Sequence, residues 1–535
     1  MSKYQTSNTT AVALPKLCGA DIELGNFIAG EDSALGTGYE ASQALLDEIE
    51  GLPVRQPHYL NYGWASSQSV SRAGNPQDVR RRFLTGNGGC AYIDLDHLEL
   101  CLPEVLDAFD HVAAWHAMLN NTRAALDSAN EGRSGDRRIK VLVNNSDGQG
   151  NSYGSHLNFL ISRRTFDDLF QRKAHYLQFL ASFQVSSILL TGQGKVGSEN
   201  GQPSTPYQIS QRADFFEVLQ GTQTTFNRPI VNARDEALCG RHIVDDASAP
   251  ARLHVIFFDS SLAHGSALFR VGPMQLMLTL LELGLINTRL ILNDPLSALQ
   301  SYSHDPTLKA RAKLISGEHI TALELQGAYL DEVKRYAAQG VFKGIVPRAE
   351  EIIALWEDTL VKLANRDWMA VAQRGIDWVL KLLAIERAME QRRGLHWGTP
   401  EVKVMDLLYS SLDKDGLYWA YESSGFTEPL VTAEDISYFA ENPPLDTRAW
   451  TRAMLLRRAT AESVVSVDWD MITFKLRGRH SWPTYRIFDM HDPLRYTRSD
   501  AQSVFDHCED IADLLDGLES LSSPESLPFQ ELITQ

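Results

Sequence analysis

Residues 145–156 read NSDGQGNSYGSH, a run that joins turn-forming residues to a histidine. Gly, Asn, Asp and Ser cluster in turns, so this run predicts a tight connection that leads into an extended segment. Two stretches with paired carboxylates precede it, and the stretch Arg252-Leu253-His254 follows it. Short strands of this kind alternate with longer helical patterns along the chain, which predicts a mixed α+β fold.

The composition is that of an ordinary globular protein. The chain has 535 residues, of which 44% are hydrophobic and 22% charged. This length allows a large core and more than one domain. The formal net charge of -18 argues against a nucleic-acid partner, because neutralising phosphates requires clustered Lys and Arg.

The cysteines and the apolar segments indicate the compartment. The five cysteines are an odd number without zinc-type spacing, so we interpret them as reduced thiols of a cytoplasmic protein. The most apolar stretch, residues 268–286, is interrupted by Arg270, Pro273 and Glu282. We therefore expect no membrane span.

The apolar periodicity predicts the main elements. We expect strands at 19–28, 90–95, 187–191 and 252–258, and helices at 102–126, 166–183 and 271–285. Residues 348–393 should be mostly helical, with an interruption near residues 365–367. The Gly-rich run 192–198 lacks the Gly-Lys-Ser/Thr end of a phosphate loop and predicts a flexible loop instead.

A Pro-rich break at residues 441–444 divides the chain. It predicts a large domain over residues 1–440 and a small C-terminal domain over residues 441–535. The last thirty or so residues are acidic and rich in Ser and Pro, so we expect this tail to fray.

The first predicted strand carries two carboxylates on one face. Side chains alternate with period two, so Asp21 and Glu23 point the same way. Two neighbouring carboxylates repel each other unless a cation lies between them, and Mg²⁺ prefers oxygen ligands. A solvated edge strand is the alternative, and this motif alone does not decide between the two.

Polar faces recur on other predicted strands. Tyr92, Asp94 and Asp96 share one face of the second strand, and Arg252 shares a face with His254. A single histidine on a strand is more often a core residue than a ligand. The recurrence on several strands favours an open, concave sheet surface with a polar site.

Nine matching segments identify a family resemblance. The chain resembles the Pup ligase / Pup deamidase (depupylase) family, which is related to glutamine synthetase and the carboxylate-amine ligases. The matching segments are Gly19–Gly25, Asn87–Glu104, Asn144–Asn158, Gln208–Glu217, Thr224–Glu236, Arg252–Gly272, Asp406–Tyr418, Pro443–Arg458 and Asp468–Asp470. The resemblance implies a glutamine-synthetase-like antiparallel β-sheet cradle packed with helices. It also implies ATP and Mg²⁺ as cofactors, and a Pup-like small protein modifier and its conjugated target proteins as partners.

The resemblance also implies roles for individual residues. Asp94 matches the catalytic aspartate, which would act as a base toward lysine in a ligase, or attack or activate water against an amide in a hydrolase. Arg252 and Trp469 match nucleotide contacts. The residues implied around the metals are Asp21, Tyr92, Glu99, His156 and His254.

The chain departs from the family pattern at several positions. Cys90 stands where the family has an arginine, so a phosphate-facing guanidinium is missing unless another residue such as Arg270 replaces it. Leu102 replaces a Thr or Ser near the nucleotide. Leu157 replaces a Glu, but in an extended segment it faces away from His156, so no ligand need be lost. These changes concern nucleotide binding more than the fold.

The sequence allows three interpretations of what the protein does. The run Asp214–Glu217 and the long segment from Asn26 to Gly86 resemble the deamidase branch, so we favour a hydrolase that cuts an amide or isopeptide bond at the modifier's C-terminal Glu/Gln. An ATP-dependent ligase that joins the modifier to lysine is the alternative. A non-catalytic modifier-binding protein is the third, although a pure binder has no physical need for the retained carboxylates and histidines.

Overall fold

The structure is a computed structural model that describes residues 13–30, 34–53, 80–236, 238–239, 249–477 and 483–521. The strands among these residues are β1 (Cys18–Ile28), β2 (Leu52–Pro53), β3 (Arg82–Phe83), β4 (Cys90–Asp94), β5 (His97–Val105), β6 (Ile139–Leu142), β7 (Ser155–Ser162), β8 (Lys195–Val196), β9 (Tyr207–Gln208), β10 (Phe216–Gly221), β11 (Arg228–Asn232), β12 (Pro250–Val255), β13 (Arg311–Lys313), β14 (His319–Thr321), β15 (Val464–Val467), β16 (Met471–Arg477) and β17 (Pro483–Asp489).

The α-helices are α1 (Gly38–Asp47), α2 (Ala108–Ala129), α3 (Arg163–Asp167), α4 (Ala174–Thr191), α5 (His264–Glu282), α6 (Pro295–Ser303), α7 (Ala322–Ala337), α8 (Ala349–Ala364), α9 (Trp368–Gln373), α10 (Asp377–Gln391), α11 (Pro400–Tyr409), α12 (Leu417–Ser423), α13 (Ala433–Glu441), α14 (Ala449–Arg458), α15 (Arg498–His507) and α16 (Ile511–Ser520). Short 3₁₀-helices lie at Ala34–Thr37, Gly135–Arg137, Ala213–Phe215 and Thr288–Leu290, and a π-helical turn lies at Asp168–Arg172.

One antiparallel sheet organises the molecule. Its strands run in the order β12-β7-β1-β5-β4-β3-β2, and β6 pairs with the end of β1. In β1, the even positions from 18 to 24 lie in the main hydrophobic core. The odd positions from 19 to 23 line a cavity on the opposite face. The period-two pattern predicted for this strand is therefore confirmed, and so is the mixed α+β fold.

Helices cover the apolar face of the sheet. Side chains of α2, α4 and α5 share one core with β1, β5 and β7. The central helix α4 is buried on all sides from Phe179 to its end, so its apolar residues do not form a single stripe. With one face of the sheet covered by helices, the other face is left for polar side chains.

Two sequence-based element assignments are wrong. Residues 187–191 were predicted as a strand, but they form the last turns of α4. Residues 102–105 were predicted as helix, but they belong to β5, and α2 begins at Ala108 behind the N-cap Asp107. Both segments are buried on every side, so neither shows the polar alternation that separates strand from helix.

The C-terminal elements build a second core. It contains Trp450, Phe474, Phe488 and Phe505, and it extends to Phe83 in β3 of the main sheet. The helix α16 lies within the stretch that was expected to fray, and its apolar side is buried. The remainder of that tail, residues 522–535, lies outside the described residues. The division at residue 440 stays a prediction.

A buried ion pair fastens the C-terminal helix α14 to the sheet. Glu104 of β5 accepts hydrogen bonds from Arg448 at 2.7 Å and from Arg452 at 3.0 and 2.5 Å. Burial raises the pKa of the Glu104 carboxyl, but the two guanidinium groups outweigh it and lower the pKa to about 2. The carboxylate therefore stays charged and holds both arginines.

All five cysteines are free thiols, as predicted. Among the described residues, no helix has both the length and the apolar character that crossing a membrane requires.

Candidate active site

The polar face of the sheet forms a cavity of about 420 Å³. All eight residues singled out from the sequence line it, namely Asp21, Tyr92, Asp94, Glu99, His156, Arg252, His254 and Trp469. They come from β1, β4, β5, β7, β12 and the loop before β16. The sequence analysis therefore selected residues that the fold brings to one place.

Strand register explains why they meet. Asp21 lies opposite His156 in the β1–β7 pair, and Glu23 lies opposite Glu99 in the β1–β5 pair. Tyr92 also lies opposite Glu99, across the β4–β5 pair. Directly opposed side chains on one sheet face are about 5 Å apart at Cβ, so these groups are close enough to share a ligand.

Three carboxylates form a cluster at the centre. Glu23, Asp94 and Glu99 each offer an oxygen, and these oxygens lie within 4.8 Å of one another. The hydroxyl of Tyr92 donates to Glu99 at 2.5 Å. Burial raises the pKa of Glu99 well above its usual range, and the negative charges of Asp21, Glu23 and Asp94 raise it further. A carboxylate set with this much mutual repulsion fits a divalent cation.

The cluster includes one residue that the site assignment missed. Glu23 was recognised as sharing a face with Asp21 but was not assigned to the metal site. Its pairing with Glu99 depends on the register of β1 against β5, which local sequence does not specify.

Two histidines lie beside the carboxylates. His156 Nδ1 is 2.8 Å from Asp21, and the rings of His156 and His254 are 5.1 Å apart. Burial works to raise the pKa of Asp21, but His156 outweighs it and the net pKa is lowered. Burial, followed by the charges of Arg252 and His156, lowers the pKa of His254 well below its usual value. His254 is therefore neutral.

The hydrogen bond between His254 and Asn158 also fixes the tautomer of the His254 ring. Nδ1 lies 2.9 Å from the side-chain oxygen of Asn158, which can only accept. Nη1 of Arg252 also lies 3.4 Å from Nδ1, but it donates to that same oxygen at the shorter distance of 2.8 Å, so Nδ1 carries the proton. In the neutral ring, Nε2 then keeps its lone pair and is able to bind a cation.

Gly154 in the turn run leaves room for the His156 ring. A Cβ built at Gly154 would lie 2.0 Å from Nε2 of His156, closer than atoms can approach. The backbone N–H of Gly154 also donates to the carboxylate of Glu23. Residues 145–156 therefore position both a histidine and a carboxylate of the cluster.

The two residues predicted to contact nucleotide lie on the cavity wall. Arg252 donates to Asn158 at 2.8 Å and to Glu236 at 2.7 Å. Trp469 packs against Phe83 at 5.5 Å between ring centres. An aromatic ring held by packing and a guanidinium held by hydrogen bonds both form a rigid surface for a ligand.

Arg270 was suggested from the sequence as a replacement for an arginine at position 90. This side chain is fully buried, stacks over Trp115 at 4.6 Å and donates to Ser261 at 3.1 Å. It does not line the cavity, so the hypothesis that it replaces an arginine at position 90 is wrong. Leu157, in contrast, packs in the core behind the sheet, as its position in an extended segment predicted.

A second cavity of about 830 Å³ adjoins the first. Both are lined by Glu23, Asp94, His156 and Thr224. The wall of the second cavity also includes Phe215 and Glu217, together with Leu95, Asp96, Arg212, Phe226 and Arg228. The carboxylate cluster thus lies where two openings meet.

Asp214, next to these wall residues, has a structural role. It accepts from Lys195 at 3.0 Å and lies 2.9 Å from His304. Burial raises its pKa, but the hydrogen bond to His304 and the charge of Lys195 outweigh it and lower the pKa to about 2. Lys195 belongs to the Gly-rich run that was predicted as a flexible loop, yet only 2% of it is exposed. This lysine is an internal ion-pair partner.

A second group of possible metal ligands, His116, His264 and Glu422, does not fit a cation as well. Nδ1 of His264 accepts a hydrogen bond from the N–H of Leu430. In the neutral ring the proton is then on Nε2, which leaves no free lone pair for a metal. Burial lowers the pKa of His264 to about 4, so this neutral state persists at physiological pH.

The family model described as Pup-ligase protein matches residues 37–473. The chain belongs to this family. It is 35% identical over 433 residues to the Pup deamidase/depupylase of Mycolicibacterium smegmatis, covering 81% of this chain and 82% of the relative. It is 32% identical over 429 residues to the Pup–protein ligase of Acidimicrobium ferrooxidans, covering 76% of this chain and 90% of the relative.

Solved structures share the fold. The complex between the prokaryotic ubiquitin-like protein Pup and its ligase PafA matches with a TM-score of 0.73 at 23% identity, and 97% of each chain is covered. A PafA structure in complex with ADP matches with a TM-score of 0.66 at 24% identity, covering 83% of this chain and 90% of the other. The predicted cradle fold is thereby confirmed.

Proposed function

We propose that this protein is an ATP- and Mg²⁺-dependent hydrolase that cuts the amide or isopeptide bond at the C-terminal Glu/Gln of a Pup-like modifier. The observation that carries the proposal is the position of Asp94 on the wall shared by two cavities. One cavity suits an anionic cofactor with its cations, and the other suits an approaching peptide tail. A group that lies between cofactor and substrate is placed to act on the bond.

The donor set supports the cofactor. Glu23 and Glu99 would hold Mg²⁺ through carboxylate oxygens, with Asp21, Tyr92, His156 and His254 around them. Arg252 and Trp469 would contact the nucleotide. When bound, the cations would supply fixed positive charge that favours negative charge on a nearby carbonyl oxygen.

Asp94 would carry the chemistry. One of its oxygens either attacks the amide carbon or takes a proton from the water that attacks it. The carbon–nitrogen bond then breaks, and the nitrogen takes a proton that comes from water and leaves as a lysine amine or as ammonia. Where Asp94 itself attacks, water then hydrolyses the anhydride formed between Asp94 and the modifier, which releases the modifier's carboxylate and regenerates Asp94. His254, which is neutral with Nδ1 protonated, orients the site without adding a positive charge.

The preference for hydrolysis rests on the second cavity and on the relatives. Phe215 and Glu217, from the run that resembles the deamidase branch, lie on that cavity's wall. Relatives named Pup deamidase/depupylase are 34% to 35% identical to this chain. A ligase is the second candidate, because relatives named Pup–protein ligase are 32% identical over more than three quarters of the chain.

Nucleotide stoichiometry separates the two candidates. The purified protein is incubated with ATP, Mg²⁺ and a Pup–lysine conjugate, and in parallel with free Pup and a lysine acceptor. A hydrolase releases Pup with far less than one ADP per bond, because the amide needs no activation. A ligase must consume one ATP per bond formed, because a free carboxylate is a poor electrophile. Conjugate formation with stoichiometric ADP and no cleavage would rule out the hydrolase.

A further inference from the structure

Two thiols face each other beside the carboxylate cluster. Cys90 of β4 and Cys101 of β5 are direct partners in the antiparallel strand pair. Cys90 precedes Tyr92 by two positions and Cys101 follows Glu99 by two, so alternation turns both thiols to the polar side of the sheet. Both cysteines are buried and free, and Cys101 also lines the first cavity.

The backbone spacing of this pair suits a disulfide. Directly opposed residues of an antiparallel pair have Cα atoms about 4.5–5.5 Å apart. A disulfide joins residues whose Cα atoms are about 4.4–6.8 Å apart, so side-chain rotation is enough to link the two sulfurs. Cys18 of the neighbouring strand β1 differs in this respect, because it lies opposite Val105 and Phe159.

The surroundings of the two thiols select the kind of oxidant. Cys101 is reached through the cavity, whose carboxylates repel anionic oxidants, so a small uncharged peroxide fits best. Burial, and after it the charge of Glu99, raises the pKa of the Cys101 thiol well above its usual value. Burial also raises the pKa of Cys90 to about 11, although the guanidinium of Arg81 opposes this. Because the thiolate is the reactive form, weak oxidants should leave both cysteines reduced.

We propose that Cys90 and Cys101 form an oxidation site, at which a peroxide converts two thiols into a cross-strand disulfide. The sulfur of Cys101 attacks one peroxide oxygen, the O–O bond breaks, and Cys101 becomes a sulfenic acid while water leaves. The sulfur of Cys90 then attacks the sulfur of Cys101, the S–O bond breaks, and a second water carries away the oxygen and the thiol proton. Two electrons pass from the thiols to one hydrogen peroxide, which yields two waters.

The disulfide would alter the carboxylate cluster. In the reduced protein, the sulfur of Cys101 lies 3.8 Å from the hydroxyl of Tyr92 and 3.9 Å from the carboxylate of Glu99. Once bonded to Cys90, this sulfur has lost its hydrogen and turns toward Cys90, so both contacts change. Loss of a neighbour that orients a ligand weakens metal binding by about ten- to a hundredfold, and we expect Mg²⁺ binding to weaken by that factor.

Peroxide treatment followed by mass spectrometry tests the site. The full chain carries Cys508→Ser, so that this less buried thiol cannot link two molecules. It is treated with hydrogen peroxide in EDTA, unfolded, alkylated and digested. We expect a Cys90–Cys101 linked peptide that dithiothreitol separates. Mg²⁺ binding, measured from the Mg²⁺-dependent rise in melting temperature, should weaken by the factor given above and recover after reduction.

Two further variants identify the thiols that react. Cys239→Ser is the matched control, because Cys239 also lines the cavity, and the linked peptide should form in this variant as before. Cys90→Ser should give an oxidised Cys101 and no linked peptide, because the second thiol is missing. Cys90→Ala serves in its place if Cys90→Ser does not fold.

The possible outcomes separate this inference from the proposed function. No linked peptide, or linkage of a different pair of cysteines, overturns the oxidation site. A linked peptide with unchanged Mg²⁺ binding overturns its effect on the carboxylate cluster. The linkage itself requires neither nucleotide nor modifier, so a protein that forms it but neither binds ATP nor cuts a conjugate supports the oxidation site and overturns the proposed function alone.

Discussion

Replacing Asp94 by Asn should stabilise the protein without cations while it abolishes turnover. Asp94, Glu23 and Glu99 hold oxygens within 4.8 Å of one another. At that separation and an effective dielectric constant of about 20, each pair of charges repels by about 3.5 kcal/mol. Partial exposure of Asp94 and the raised pKa of Glu99 reduce the effect, so we expect the free energy of unfolding to rise by about 1–2 kcal/mol in EDTA.

With Mg²⁺ and ATP present, Asp94→Asn should instead be less stable than wild type. Wild type gains stability from a bound cation by mass action, about 2.7 kcal/mol at a hundredfold excess over the dissociation constant. The variant should gain less, because it has lost one carboxylate of the cluster. Conjugate cleavage should fall by orders of magnitude, because Asn is neither a base nor a nucleophile.

Thermal unfolding in EDTA and in Mg²⁺ with ATP measures both effects. Asp96→Asn is the matched control, since Asp96 lies on the same hairpin and is exposed outside the carboxylate cluster. It should change neither the stability in EDTA nor the gain from Mg²⁺. A lower melting temperature for Asp94→Asn in EDTA, or cleavage at the wild-type rate, would refute the reasoning.

Three further predictions concern the framework of the site. Because the pKa of Glu104 is lowered from 4.5 to about 2, the stability that this carboxylate contributes is present above about pH 4.5 and is lost as pH falls through about 2. Glu104→Gln should therefore lower the free energy of unfolding, measured in urea, by about 3–5 kcal/mol at pH 7 and by much less near pH 2. The pH dependence expected for His491 is the opposite. Ion pairs with Asp470 at 2.7 Å and Asp489 at 2.9 Å raise its pKa from 6.5 to about 9, so its stabilisation is complete below about 6.5 and is lost as pH rises through about 9. His491→Gln should therefore lower the urea midpoint at pH 6 but not at pH 10, and an equal loss at both would contradict the assignment. Gly154→Ala should displace the ring of His156 and weaken Mg²⁺ binding, measured from the Mg²⁺-dependent rise in melting temperature, at least tenfold. A Gly135→Ala control, whose Cβ meets nothing within 4 Å and whose φ is not positive, should bind Mg²⁺ like wild type.

The polar faces of the strands could be predicted from sequence because they depend on a local rule. Alternation with period two places Asp21 beside Glu23 and Tyr92 beside Asp94 without any knowledge of the fold. The family resemblance then ordered these faces into one site. All eight assigned residues line one cavity for that reason.

The errors come from residues whose environment is set by distant partners. The end of α4 was taken for a strand because Ile188, Leu189 and Leu190 form a short buried apolar run, which periodicity alone cannot distinguish from a strand. The loop around Lys195 was taken as flexible, although Glu199 and Asp214 bind that lysine in the interior. The position of Arg81 beside Cys90 on the cavity wall was missed because nothing in its own sequence segment shows that β3 pairs with β4 there.

The carboxylate cluster bears on whether the protein is an enzyme or only a binding scaffold. Glu23, Asp94 and Glu99 repel one another, and each lowers the stability of the protein when no cation is bound. A scaffold that only grips a modifier would be more stable with one of them neutral. Glu99 is also hydrogen-bonded by Tyr92 and the cluster opens to two cavities, so the costly arrangement is built where cofactor and substrate meet. Functional sites are where proteins keep such locally unfavourable groups, and this argues for catalysis. The stability gain expected of Asp94→Asn in EDTA measures that cost directly.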